Sequence, residues 1–176
     1  MNEREFLRGQ LAGERRALDA AARRIREVLA SRTPAGAAGA AHAPSAAFLE
    51  ASAAYFLFGL PRAAARASAQ RARLRAHHAL AGRIEGIVRG AAAQRAALER
   101  AVQAWRRDPD SLDNIVDDLD SCAVFIINYL TADDPELDAL GLQLYTIEDW
   151  RNIAAADADS ILEERRLRAA ALEAQP

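Results

Sequence analysis

Apolar residues recur at helical spacing along most of the chain, and β-branched residues are scarce. Together these features predict an all-α fold. The first helix is predicted to begin at Asn2, with Glu5 three residues on completing a capping box. Its apolar stripe is Leu7, Leu11, Leu18, Ala22, Ile25 and Leu29, interrupted by Glu14, and Thr33-Pro34 ends it. Residues 33–44 then read as a flexible linker of small residues. Ser45 opens a second helix carrying Phe48, Leu49, Tyr55, Phe56 and Phe58. Pro61 should kink or end that helix, because it supplies no amide donor. The alanine–arginine stretch Arg62 to Arg75 is expected to continue it past a kink, with a break near residues 77–80.

The third helix has the most regular spacing: Leu80, Ile84, Ile87, Ala91, Gln94, Leu98, Ala101 and Trp105, stopped by Asp108-Pro109. A fourth helix, from about Ser111 to Leu130, points Leu112, Ile115, Leu119, Cys122, Ile126 and Tyr129 inward. Its second half is apolar on all sides and should lie deepest. A loop around Asp134-Pro135 and Gly141 follows, and Thr146, with Asp149 in a capping box, starts a last helix. That helix should turn Trp150, Ala154, Ala158, Ile161 and Arg165 inward. Helices of roughly 20–32 residues joined by mostly short loops predict an antiparallel bundle of four or five helices. At 176 residues it suits a single domain spanning 1–176.

Charge alters this picture more than composition does. The formal net charge is only −2. Residues 51–107, however, hold eleven arginines and two acids (net +9), while 108–164 hold sixteen acids and one arginine (net −15). One consequence is internal: arginine-rich middle helices pair with acidic late ones and fix which helix neighbours which. The alternative reading is external, with Arg62, Arg66, Arg71, Arg73 and Arg75 as candidates for a partner-binding surface. Arg62, Arg66 and Arg73 share a face if the helix is continuous. Nucleic acid is a poor fit, since the aromatics Tyr55 to Phe58 precede the arginines instead of interleaving with them. No lysine occurs, arginine takes its place throughout and alanine dominates, which points to codon bias in a GC-rich, bacterial genome. A single cysteine, Cys122, and no visible signal peptide suit the cytoplasm. The longest apolar run, residues 55–61, is too short to span a membrane.

Candidate chemistry is sparse. Gly82, Gly86 and Gly90 form a four-residue-spaced ridge opposite the apolar stripe, suited to close packing by another helix of the chain or by a second copy. Tyr55, Tyr129, Trp150 and Asp157 could line a small-ligand pocket. The more ordinary role for Asp157 is pairing with an arginine or capping a helix. Paired Glu-x-x-His motifs of ferritin-like bundles are missing, and three histidines are few for a hemerythrin-like plan. A degenerate metal- or ligand-binding bundle therefore stays a minor alternative, with no metal site and no cofactor assigned. Cys122 lies among apolar neighbours, where a thiol acts as a small hydrophobe. No catalytic residue emerges.

One segment, Ala76-His77-His78-Ala79-Leu80-Ala81-Gly82, resembles the His-x-Leu-Lys-Gly motif of histidine-phosphotransfer domains. The resemblance implies a helical bundle in which an exposed His78 accepts a phosphoryl group and Gly82 gives a receiver domain room to approach. Ala81 stands where the family's phosphate-steadying lysine would be. On balance the sequence predicts a non-catalytic, cytoplasmic interaction or regulatory module, with a protein partner or a second copy of itself.

Overall fold

The computed structural model describes residues 2–31, 44–74, 76–109, 112–132, 134–156 and 160–174. Within them the fold is all-α, with seven α-helices and no strand. The first three are α1 (Glu3–Ala30), α2 (Ala46–Arg71) and α3 (His78–Arg107). The fourth, α4 (Leu112–Phe125), runs on into a π-helical turn, Ile126–Leu130. Three shorter helices follow: α5 (Pro135–Leu144), α6 (Ile147–Ala155) and α7 (Ile161–Glu173). Most of the 33–44 linker, Arg75, Asp157 and Ala158 lie outside the described residues.

Local rules account for the helix starts. The Asn2 carboxamide accepts from the Glu5 amide, and the Glu5 carboxylate accepts from the Asn2 amide. Ser45 caps α2 through the Phe48 amide, and Thr146 and Asp149 form a second reciprocal box at α6. Pro61 does not end α2, which continues ten residues beyond it. Tertiary burial of Tyr55, Phe56, Leu60 and Ala63 holds the segment helical on both sides of the proline. α2 ends at Arg71 and α3 begins at His78, and Leu74 between them is fully buried.

Two corrections concern the last third. The expected loop around Gly141 is a ten-residue helix, started by Pro135 and capped by the Asp134 carboxylate on the Leu137 amide. The expected last helix is two helices, and the interruption resets the inward face. Glu164 is buried where Arg165 was expected, and Arg165 is exposed.

The main core joins α1, α2, α3, α4 and α7 through Leu18, Ile25, Phe48, Phe56, Leu98, Ile115, Leu119 and Ile126. A second cluster sits where the α2–α3 turn meets α5 and α6, built from Leu74, Leu80, Ile84, Tyr145, Trp150 and Ile153. Tyr145 and Trp150 meet edge-on, ring centroids 5.3 Å apart.

Candidate functional site

The basic stretch is largely consumed by the chain's own acids. Arg62 Nη1 donates to Glu164 Oε2 at 2.9 Å, and both side chains are buried. Glu164 Oε1 also accepts from the Tyr55 hydroxyl at 3.3 Å, with Arg168 Nη1 at 3.8 Å. The Arg62 guanidinium lies 5.5 Å from the Phe58 ring centre, within cation–π range. Arg66 pairs with Glu14 in a half-buried site, which explains the acid interrupting the α1 stripe. Arg73 Nε pairs with the buried Asp149, and Arg71 pairs with Glu85 on the surface. Arg83 reaches both Asp134 and Glu136. Arg62 and Arg66 are therefore not surface cations, and the shared face with Arg73 is lost because α2 stops at Arg71. The sequence could not show this, since the partners stand between 52 and 102 residues away.

The proposed pocket of Tyr55, Tyr129, Trp150 and Asp157 does not assemble among the described residues. Tyr55 belongs to the main core and Trp150 to the second cluster. Tyr129 is exposed and stacks on Phe125, because the π-turn rotates it off the inward face. Thr131 closes that turn: its amide and hydroxyl both donate to the Ile126 carbonyl, and its hydroxyl also approaches Asp19 Oδ1 at 2.9 Å. Burial raises the Tyr55 phenol above its ordinary range, and the Glu164 charge adds to that shift. Burial likewise pushes the Cys122 thiol up to about 12, beside Gln94, so the thiolate form that reacts is suppressed.

The glycine ridge is packed within the chain at one position only. A side chain at Gly90 would meet the Phe125 ring at 2.5 Å, so α4 does approach α3 closely there. Gly82 and Gly86 face open space, with nothing within 4 Å of a Cβ at either position. Close packing within the chain is thus confined to one glycine of the three. Among the described residues no group of three or more His, Cys, Asp and Glu side chains could hold a metal ion. None of the described helices is long and apolar enough to cross a membrane.

Among the described residues two concavities stand out. The larger, about 510 Å³, opens between α1 and α4. Its lining combines apolar Leu29, Ala30, Val116 and Ile127 with the charged side chains of Arg23, Arg26, Glu27, Asp117 and Asp120, and Glu27 is paired with Arg24. Arg26 is paired across it with Asp120, and Arg23 with Asp19. Among the described residues Asp117 makes no ion pair, so the groove's uncompensated charge is negative. This groove escaped the sequence reading because Val116 and Ile127 flank the inward stripe of the fourth helix instead of lying on it.

The smaller concavity, about 390 Å³, lies at the corner where α2 gives way to α3, with Ser68, Arg71, Ala72, His78 and Ala81 around it. His78 is exposed at the first position of α3, one turn before the open Gly82. Compared with protein-family models, with curated proteins and with solved structures, the chain matches none.

Proposed function

We propose that the chain is a non-catalytic interaction module, acting in the cytoplasm of a bacterium with a GC-rich genome, that receives an amphipathic helix of a basic protein partner in the α1–α4 groove. The observation that carries this reading is a groove whose lining combines apolar Leu29, Ala30, Val116 and Ile127 with an uncompensated acid, Asp117. Helix-in-groove recognition needs such an apolar lining for the partner's apolar stripe and charges to set its register. The side chains of α4 include four aspartates and no base, so its wall selects arginine or lysine on the partner's flank.

A photo-crosslinking residue at Ala30 in the native host, followed by sequencing of the crosslinked peptide, tests this. The expected product is one peptide with apolar residues at helical spacing and basic flanks, lost when Asp117→Arg reverses that charge. Crosslinks to this chain itself, or products indifferent to Asp117→Arg, overturn it.

A second reading keeps His78 as a phosphoryl acceptor. It is favoured by an exposed imidazole, open space above Gly82, and the Arg71 cation in the same cleft where the sequence lacks a lysine. A phosphorylated receiver domain would transfer its phosphoryl group to a His78 ring nitrogen: a P–N bond forms while the donor's aspartyl P–O bond breaks and frees the carboxylate. Incubation with such a donor should leave an acid-labile phosphate on His78, and an unlabelled His78 refutes it.

A further inference from the structure

We infer that the corner cleft between α2 and α3 binds a small phosphate monoester non-covalently, with Arg71 and His78 as its principal ligands and Ser68 as a supporting donor. The cleft brings together a guanidinium, an imidazole and a hydroxyl from two helices that are separated in sequence by residues 72–77. All three side chains donate hydrogen bonds, and no carboxylate lies among the lining residues. The other two lining residues are alanines, Ala72 and Ala81, whose short side chains leave the donors accessible. A volume of about 390 Å³ lies within the range of small-ligand pockets. The positive end of the α3 dipole lies beside His78 and the negative end of α2 beside Arg71 and Ala72, so the side-chain donors, and not the helix ends, set the sign of the cleft.

Charge balance supports an exchange of partners. Arg71 Nη2 holds Glu85 Oε2 at 2.8 Å. The other guanidinium donors can meet a phosphate, which arginine binds through two parallel N–H bonds. Glu85 also has Arg89 at 4.0 Å, so it keeps a cation when Arg71 turns towards the ligand. Glu85 is thus a competitor for Arg71 and tunes affinity without contacting the phosphate. This inference is independent of groove docking and of covalent transfer to His78.

The test is a side-chain NMR titration of the His78 imidazole and the Arg71 Nε with glycerol phosphate and with inorganic phosphate, at ionic strength held constant with chloride. A saturable shift at both groups is expected, with affinity at least about tenfold lower in Arg71→Met and in His78→Gln, a loss of about 1.4 kcal/mol or more. Glu85→Gln should tighten binding by removing the competitor. Arg71, His78 and Glu85 are all outside the core, so each variant should fold. Shifts that fail to saturate, that sulfate and chloride reproduce equally, or that persist in Arg71→Met overturn the inference. Ala30→Arg in the α1–α4 groove should leave the titration unchanged, and acid-labile label on His78 would report transfer separately.

Discussion

Arg62→Met should destabilise the protein by about 3 kcal/mol, because it strands the Glu164 carboxylate in a site from which water is excluded. Both side chains are only 8% exposed, and they meet at 2.9 Å. Breaking a buried pair from one side costs about 3–5 kcal/mol. The low end applies here, since Tyr55 at 3.3 Å and Arg168 at 3.8 Å still face the carboxylate. Glu164→Leu leaves the Arg62 guanidinium buried with the Phe58 ring as partial compensation, and a loss of similar size is expected. The double variant Arg62→Met/Glu164→Leu replaces the pair with apolar groups and should lose less than either single change, within about 2 kcal/mol of the native protein.

For a chain of this length, about 3 kcal/mol corresponds to a melting temperature lowered by roughly 6–12 °C. Urea unfolding followed by far-ultraviolet circular dichroism, with tryptophan fluorescence (Trp105 in the main core, Trp150 in the second cluster) as a second probe, gives all three values. If the single variants fall within about 0.5 kcal/mol of the native protein, or if the double loss equals the sum of the singles, the pair is not coupled and the argument fails.

Two further outcomes follow from the packing and the caps. Gly86→Ala places a methyl in open space and gains helix propensity, so it should stabilise by up to about 1 kcal/mol. Gly90→Ala should instead destabilise by about 1–2 kcal/mol, because its Cβ would lie 2.5 Å from a Phe125 ring already stacked on Tyr129. Equal urea midpoints for the two variants would refute the distinction. At Asp149, burial opposes ionisation, but hydrogen bonds from Thr146 and Arg73 outweigh it and hold the carboxyl below the ordinary aspartate range. A depressed folded value means the contribution is present above the unfolded value and is lost as pH falls through the folded one. Below about pH 4, the native protein should therefore lose stability more steeply than Asp149→Asn, and parallel pH profiles would count against it.

The all-α class and most helix starts could be read locally, because capping boxes and apolar periodicity act within a few residues. Asn2 with Glu5 and Thr146 with Asp149 were both identified in this way. So was the stop at Asp108, since α3 ends at Arg107. Interruptions set by packing were not legible. The π-turn at Ile126–Leu130 swings Tyr129 outward against its heptad position, whereas the continuation of the second helix past Pro61 was expected from the alanine–arginine stretch. The candidate sites fared similarly. The sequence supplied His78 and Arg71, but their meeting in one cleft depends on how α3 is set against α2.

By itself the sequence determined that arginines of the middle segment and acids of the late segment would be present in complementary excess. Only the tertiary structure decided their partners: Arg62 with Glu164 and Arg73 with Asp149 inside the chain, Arg66 with Glu14 of the first helix, and Arg71 at the mouth of a cleft. The physical reason is that net charge is a sum over positions, whereas an ion pair needs two side chains within about 4 Å. Which distant residues come that close is set by how the apolar faces pack.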